Sequence, residues 1–149
     1  MIEEEIKFSC RQCSWCCRFE GGVVRLSKED LENLCAWSNL TEDQFKKVYC
    51  RTAEDDSGNK WLILKTLQNG DCIFWKKDLC SGKGGCECYT ARPVQCSTFP
   101  FWTDIVKDKE SWNKTALHCP GINCGNSHTA EEIKTELEKY KKRIPLKAE

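Results

Sequence analysis

The sequence predicts a small α+β domain in which capped helices and short strands surround cysteine-bearing loops. Three observations predict it. Helix-start signatures recur at Ser27, Thr41 and Thr129; an Asn69-Gly70 turn follows the apolar run Trp61-Leu62-Ile63-Leu64; and cysteines crowd the segments between. A chain of 149 residues is long enough to bury a core as one domain.

In chain order, Gly21-Gly22-Val23-Val24-Arg25-Leu26 reads as a short strand with a glycine-rich start. Ser27 then caps a helix, with Asp30 three residues on and Leu26 and Leu31 at the staple positions. Leu31, Leu34 and Cys35 form its buried face. Thr41 opens a second helix by the same grammar: Gln44 completes a capping box, and Leu40 faces Phe45. Thr52 to Lys60 is polar and glycine-containing, a loop, and Trp61 to Leu64 is a buried strand. Asn69-Gly70 tolerates positive φ and should fold Asp71-Cys72-Ile73-Phe74-Trp75 back as a hairpin.

Cys80 to Cys88 is a flexible, ligand-bearing loop; its Gly82-Lys83-Gly84-Gly85 lacks the spacing to Lys-Ser/Thr that a phosphate loop requires. Pro93 opens a short helix. Trp102 to Leu117 reads as two strands around a polar turn. Thr129 with Glu132 caps a last helix whose stripe is Ala130, Ile133, Leu137 and Tyr140; Lys141, Lys142 and Arg143 suit its C-terminal dipole, and Pro145 stops it. The helices are expected over residues 28–37, 42–50 and 130–143. Residues 1–128 form the cysteine-rich domain, and residues 129–149 supply a helix packed on it.

Lysine plus arginine equals aspartate plus glutamate, 23 each, so no global field points to nucleic acid or a membrane surface. Met1-Ile2-Glu3-Glu4-Glu5-Ile6-Lys7 has neither a basic n-region nor an apolar h-region, and no stretch approaches the length of a membrane span. The expected compartment is the reducing cytoplasm. There, 13 cysteines beside two histidines mean metal or redox chemistry more than structural bridges, and an odd number rules out complete pairing within the chain.

The chemistry concentrates in Cys10-Arg-Gln-Cys13-Ser-Trp-Cys16-Cys17. Thiolates are the soft ligands of zinc and of iron–sulfur clusters, and each two-residue gap lets neighbouring sulfurs converge on one centre. Successive side chains of an extended backbone point to opposite sides, so Cys16 and Cys17 serve different centres most easily.

This run, with Gly70-x-Cys72-x-Phe74, Cys86-x-x-Tyr89-x-x-Arg92-Pro93-x-x-Cys96-x-x-Phe99-Pro100 and Cys119-Pro120-Gly121, resembles the YkgJ-type cysteine-cluster family, the zinc- or iron-chelating CxxCxxCC domain. The resemblance spans roughly residues 8 to 125. It implies eight metal ligands: Cys10, Cys13, Cys16, Cys17, Cys72, Cys86, Cys96 and Cys119. The chain departs from the pattern in five further cysteines; Cys88 stands where the family usually has an apolar residue, and Cys35, Cys50, Cys80 and Cys124 are extra.

Eight thiolates divide into two sets of four. Three cysteines at successive two-residue gaps, and a remote cysteine followed by proline, favour an iron–sulfur cluster of the 4Fe–4S type over zinc, although tetrahedral sulfur sites serve both. One grouping is Cys10, Cys13, Cys16 and Cys119, leaving Cys17, Cys72, Cys86 and Cys96. Cys35 reads as an inert core residue and Cys50 as structural, whereas Cys80, Cys88 and Cys124 lie near ligand candidates and raise a third site or a redox-active pair. His118 beside Cys119 is a substitute ligand or a hydrogen-bonding neighbour, and His128 before the last helix is a hydrogen-bonding residue. Arg18 or Arg92 can offset the charge of a thiolate site. Trp15, Phe74, Trp75, Tyr89, Phe99 and Trp102 can screen it or simply fill the core.

Three functions follow. The first is an iron–sulfur protein that carries electrons or senses redox state, with a redox protein as its partner. The second is a zinc-stabilised binding module. The third is methyl transfer, by analogy with flagellin lysine N-methylases, which carry a similar motif. The chain has no glycine-rich strand-to-helix fingerprint, no Ser-His-Asp set and no paired carboxylates, and Asp55-Asp56 reads as solvated charge, so the enzyme ranks last.

Overall fold

The computed structural model describes residues 2–10, 23–80, 82 and 84–148. It is a mixed α+β architecture of short antiparallel strand pairs and helices, with two buried clusters.

The first cluster is built by local grammar. Helix α1, Lys28–Ser38, starts where Ser27 and Asp30 exchange hydrogen bonds, the Ser27 amide donating to Asp30 Oδ2 at 2.9 Å. Helix α2, Glu42–Tyr49, starts on the reciprocal pair Thr41 and Gln44. Both boxes satisfy amides that a helix start otherwise leaves unpaired. The helices bury Leu31, Leu34 and Phe45 against Leu26, Leu62, Leu64 and Phe74.

The chain then runs straight from α2 into strand β2, Cys50–Glu54, which pairs antiparallel with β3, Lys60–Leu64, from Cys50↔Leu64 to Glu54↔Lys60. Thr52 to Lys60 is therefore a hairpin arm rather than a loop. Only its tip turns, and Asp55 makes the turn: its carboxylate accepts from the amides of Ser57 and Asn59 and from the indole of Trp61, each at 2.9 Å. Those bonds, the Trp61 one foremost, hold its pKa below the ordinary carboxylate value, so Asp55 is a structural acceptor and not merely solvated charge. The other edge of β3 is covered by residues 24–27 and by the chain end, through Leu26 N–H to Leu62 O, Leu62 N–H to Leu146 O and Ala148 N–H to Lys60 O.

The second cluster joins both ends of the chain. Strand β1, Ile6–Phe8, pairs antiparallel with a strand over Ile122–His128, with a register shift between Lys7 and Phe8. His128 Nε2 lies 2.8 Å from the Phe8 carbonyl, so this histidine serves the pairing. Against it pack Phe101, Val106, Trp112, Cys119, Ile133 and Leu137.

Residues 102–117 are helical, not extended: Thr103–Val106 and Lys109–Ala116 form two helices. Asp108 starts the second by accepting from the Ser111 amide at 2.7 Å, a cap without the reciprocal side chain that closed the boxes of α1 and α2. The final helix, Ala130–Lys142, begins on the Thr129–Glu132 box and buries Ile133 and Leu137. No helix among the described residues is long and apolar enough to cross a membrane.

Cys72, Cys86 and Cys88 pack in or against the first cluster. Strand β4, Trp75–Lys76, pairs with β5, Gly85–Cys86, in the register Trp75↔Cys86 and Lys76↔Gly85. A 3-10 turn follows at Tyr89–Ala91, then helix α3, Val94–Ser97, with Pro93 at its N-cap. In chain order, the helices after it are α4 (Thr103–Val106), α5 (Lys109–Ala116) and α6 (Ala130–Lys142), and Ile122–His128 is β6.

Candidate metal centre

Cys72 is positioned by the expected tight turn. The Leu67 amide donates to Asp71 O, the Gly70 amide to Leu67 O, and Asp71 N–H to Asn69 Oδ1 at 3.0 Å. The hairpin is shorter than its sequence suggests. It closes with a single bridge, Thr66↔Cys72, because the Trp75 amide then turns back to Cys72 O. Phe74 anchors this segment in the first cluster: its ring stands 4.7 Å from Tyr49 and 5.5 Å from Trp37, centre to centre.

Phe74 O accepts from the Glu87 amide at 2.8 Å, which places the Cys86-Glu87-Cys88 tripeptide beside it. The expected flexible loop thus carries an ordered ladder. Gly84, at φ 88°, lets the Trp75 indole lie on its α-carbon, and Gly85 leaves room for the Cys80 sulfur against the backbone.

Cys96 sits on α3, which two side chains tie to distant parts of the chain. The buried Asp30 accepts from the Val94 amide through Oδ1 at 2.9 Å while its other oxygen serves the α1 cap. Gln95 takes the Arg25 amide on its carbonyl oxygen and donates to Val23 O at 2.7 Å. Val23 is therefore tied to the helix that bears Cys96.

Cys10 follows Ser9, whose amide donates to Gly121 O at 3.2 Å and whose hydroxyl accepts from Asn126 at 2.8 Å. Gly121 is pressed onto the Ser9 carbonyl, where a β-carbon would collide. Cys119, buried at the end of α5, is two residues from that contact. The exposed Cys10 and the buried Cys119 thus flank one backbone pairing. Cys13, Cys16 and Cys17 lie outside the described residues, as do Trp15, Arg18, Gly21, Gly22 and Lys83.

One sulfur–sulfur contact involves a cysteine outside the eight. Cys88 is 1 % exposed, and its Sγ stands 3.6 Å from Cys86 Sγ. The hydrogen bond with Cys86, then burial, then the charges of Cys86, Cys72 and Cys96 hold its thiol far above the ordinary range. Sequence reasoning treated Cys88 as a spare. The available signal was the Cys-x-Cys spacing, which keeps two sulfurs within reach of each other across one residue.

Among the described residues, no three His, Cys, Asp or Glu side chains stand close enough together to hold an ion. The donor set nonetheless suits a thiophilic metal. Two sulfurs on one tetrahedral zinc at about 2.3 Å lie roughly 3.8 Å apart, near the Cys86–Cys88 spacing.

A family model for CxxCxxCC, described as "Putative zinc- or iron-chelating domain", matches residues 9–120. The chain belongs to the CxxCxxCC family. The match begins one residue before Cys10 and ends one after Cys119, so this CxxCxxCC chain carries all eight candidate ligands inside the matched span. The family description supports metal binding by zinc or iron. No solved structure matches the chain.

The remaining candidates of the CxxCxxCC chain are placed as follows. Arg92 covers the Tyr89 ring at 3.9 Å and donates to Tyr89 O. Phe99 and Trp102 pack edge to face, with Trp102 stacked on Tyr140 of α6. Cys35 is half-buried against the first cluster, with burial raising its pKa. Cys50 is buried where α2 meets β2, and burial pushes its thiol up to about 11. At pH 8 only about one Cys50 in a thousand is then a thiolate. Iodoacetamide is expected to label the exposed Cys80 well before Cys50, read by peptide mass spectrometry; equal rates would show that Cys50 is not shielded.

Proposed function

We propose that this protein is an iron–sulfur protein that carries electrons or reports redox state to a protein partner. Cys10, Cys13, Cys16 and Cys119 serve one centre, and Cys17, Cys72, Cys86 and Cys96 the other. The observation that carries the reading is the partition of the described candidates: Cys119 lies in the second buried cluster with Cys10 beside its turn, while Cys72 and Cys86 pack on the first. Two separate sulfur groups, each backed by an apolar cluster, suit two centres.

When bound, a cluster supplies one-electron chemistry at a potential set by its surroundings. The chain's own residues do the rest. Phe74, with Trp37 and Tyr49 behind it, keeps water from the Cys72–Cys86 side. Asp30 and Gln95 fix the helix that presents Cys96.

A zinc-tetrathiolate module with a partner-binding role is the second reading, favoured by the Cys86–Cys88 contact, which has the spacing of one ion. Methyl transfer has less behind it: the sheets among the described residues are two-stranded and antiparallel, unlike the parallel sheet of a nucleotide-type cofactor fold.

Oxygen-free purification followed by iron, sulfide and zinc analysis tests the proposal. Brown protein with acid-labile sulfide is expected. Colourless protein with stoichiometric zinc selects the second reading, and protein without either metal sinks both.

A further inference from the structure

We propose that Cys88 is a metal ligand and shares one tetrahedral ion with Cys86. The inference rests on the metal-binding reading above and revises its grouping, since Cys88 takes the fourth position assigned there to Cys17.

Two observations carry it. The sulfurs stand 3.6 Å apart, close to the edge of a tetrahedral thiolate site, and they belong to one ordered Cys86-Glu87-Cys88 segment fixed by the Phe74 carbonyl. Cys88 is almost fully buried in the first cluster, where Cys72 and Cys86 also pack. Cys72 and Cys96 complete the coordination when the ion draws the four sulfurs together.

The pairing also narrows the kind of centre. In a 4Fe–4S cluster held by four cysteines, each iron takes one cysteine. A 2Fe–2S cluster places two on each iron, and a single zinc or iron takes all four. Two thiolates on one ion therefore mark this centre as a single-ion or 2Fe–2S site, not a cubane.

Cadmium-113 loading of the intact reduced protein tests this without a substitution, because scalar coupling from the metal to cysteine β-protons names each ligand. One cadmium resonance coupled to the β-protons of both Cys86 and Cys88 is expected. Coupling to Cys86 without Cys88 overturns the inference and leaves the metal reading standing. Failure to bind cadmium, zinc or iron removes the metal reading and the inference with it. As a second measure, Cys88→Val keeps an apolar side chain and should release cobalt(II) to a chelator at least tenfold faster than wild type, with about a quarter less thiolate-to-cobalt absorbance at this site. Cys35→Val is the control. Cys88→Val protein that folds and holds cobalt as wild type does would also overturn the proposal.

Discussion

Stripping the metal with a strong chelator under reducing conditions is expected to lower the thermal midpoint by about 15 °C or more. The reason lies in residues 66–100. Strands β4 and β5 are two residues each and α3 is four. Helices this short do not repay their nucleation, and an isolated two-stranded ribbon is marginal in water. Phe74 and Cys88 hold parts of the segment in the core and Asp30 and Gln95 hold α3, and metal bonds are expected to fix what lies between.

Structural zinc contributes apparent free energies of about 10–16 kcal/mol in zinc-finger peptides, against typical domain stabilities of about 5–15 kcal/mol. Even part of that decides whether the segment stays ordered. The measurement is a circular-dichroism melt with and without chelator, combined with hydrogen exchange. Loss of protection should concentrate in residues 66–100 and spare α1, α2 and the β2–β3 hairpin. A midpoint shift below about 3 °C would show that the metal does not hold this segment.

The second large effect is expected at Asp30. Its carboxylate is 2 % exposed and accepts two backbone amides at 2.9 Å, one from its own helix cap and one from Val94 across the molecule. Hydrogen bonds to a charged group are worth about 1.5–3 kcal/mol each, and Asp30→Ala strands two buried donors. The metal-loaded protein should lose about 3 kcal/mol or more in urea denaturation. Thr129→Ala removes an exposed cap and should cost only about 1 kcal/mol. Asp30→Ala should also speed metal loss to a chelator, because Val94 begins the helix that carries Cys96; Thr129→Ala should not. Equal stability losses in the two variants would deny Asp30 its bridging role.

The contrast between Ser27–Asp30 and Asp30–Val94 shows what a sequence can disclose. Reciprocal caps are read within four residues, so the starts of α1, α2 and α6 were legible from Ser27, Thr41 and Thr129. The bond from Asp30 to Val94 spans 64 positions and leaves no local trace. Residues 102–117 were misread because Asp108 caps with Ser111 rather than with a Glu or Gln box, and the short α4 hides the helical period of Ile105, Val106, Trp112 and Ala116. Strand β2 escaped because it buries only Cys50 fully, so no two-residue alternation surfaces in Cys50-Arg51-Thr52-Ala53-Glu54. Ligand candidates were legible as spacing. Cys88 stands outside the eight because the family pattern has an apolar residue there, and its neighbourhood emerges only when the β4–β5 ladder brings Cys86 beside Phe74.

The bonds from Ser9 to Gly121 and from Gln95 to Val23 have an entropic consequence. They fasten the polypeptide just outside both ends of the CxxCxxCC run, so the entropy of closing that loop is met before any ion arrives. Closure entropy grows only with the logarithm of loop length, so the advantage survives modest insertions. Sulfur donors tethered this way act at a high effective concentration.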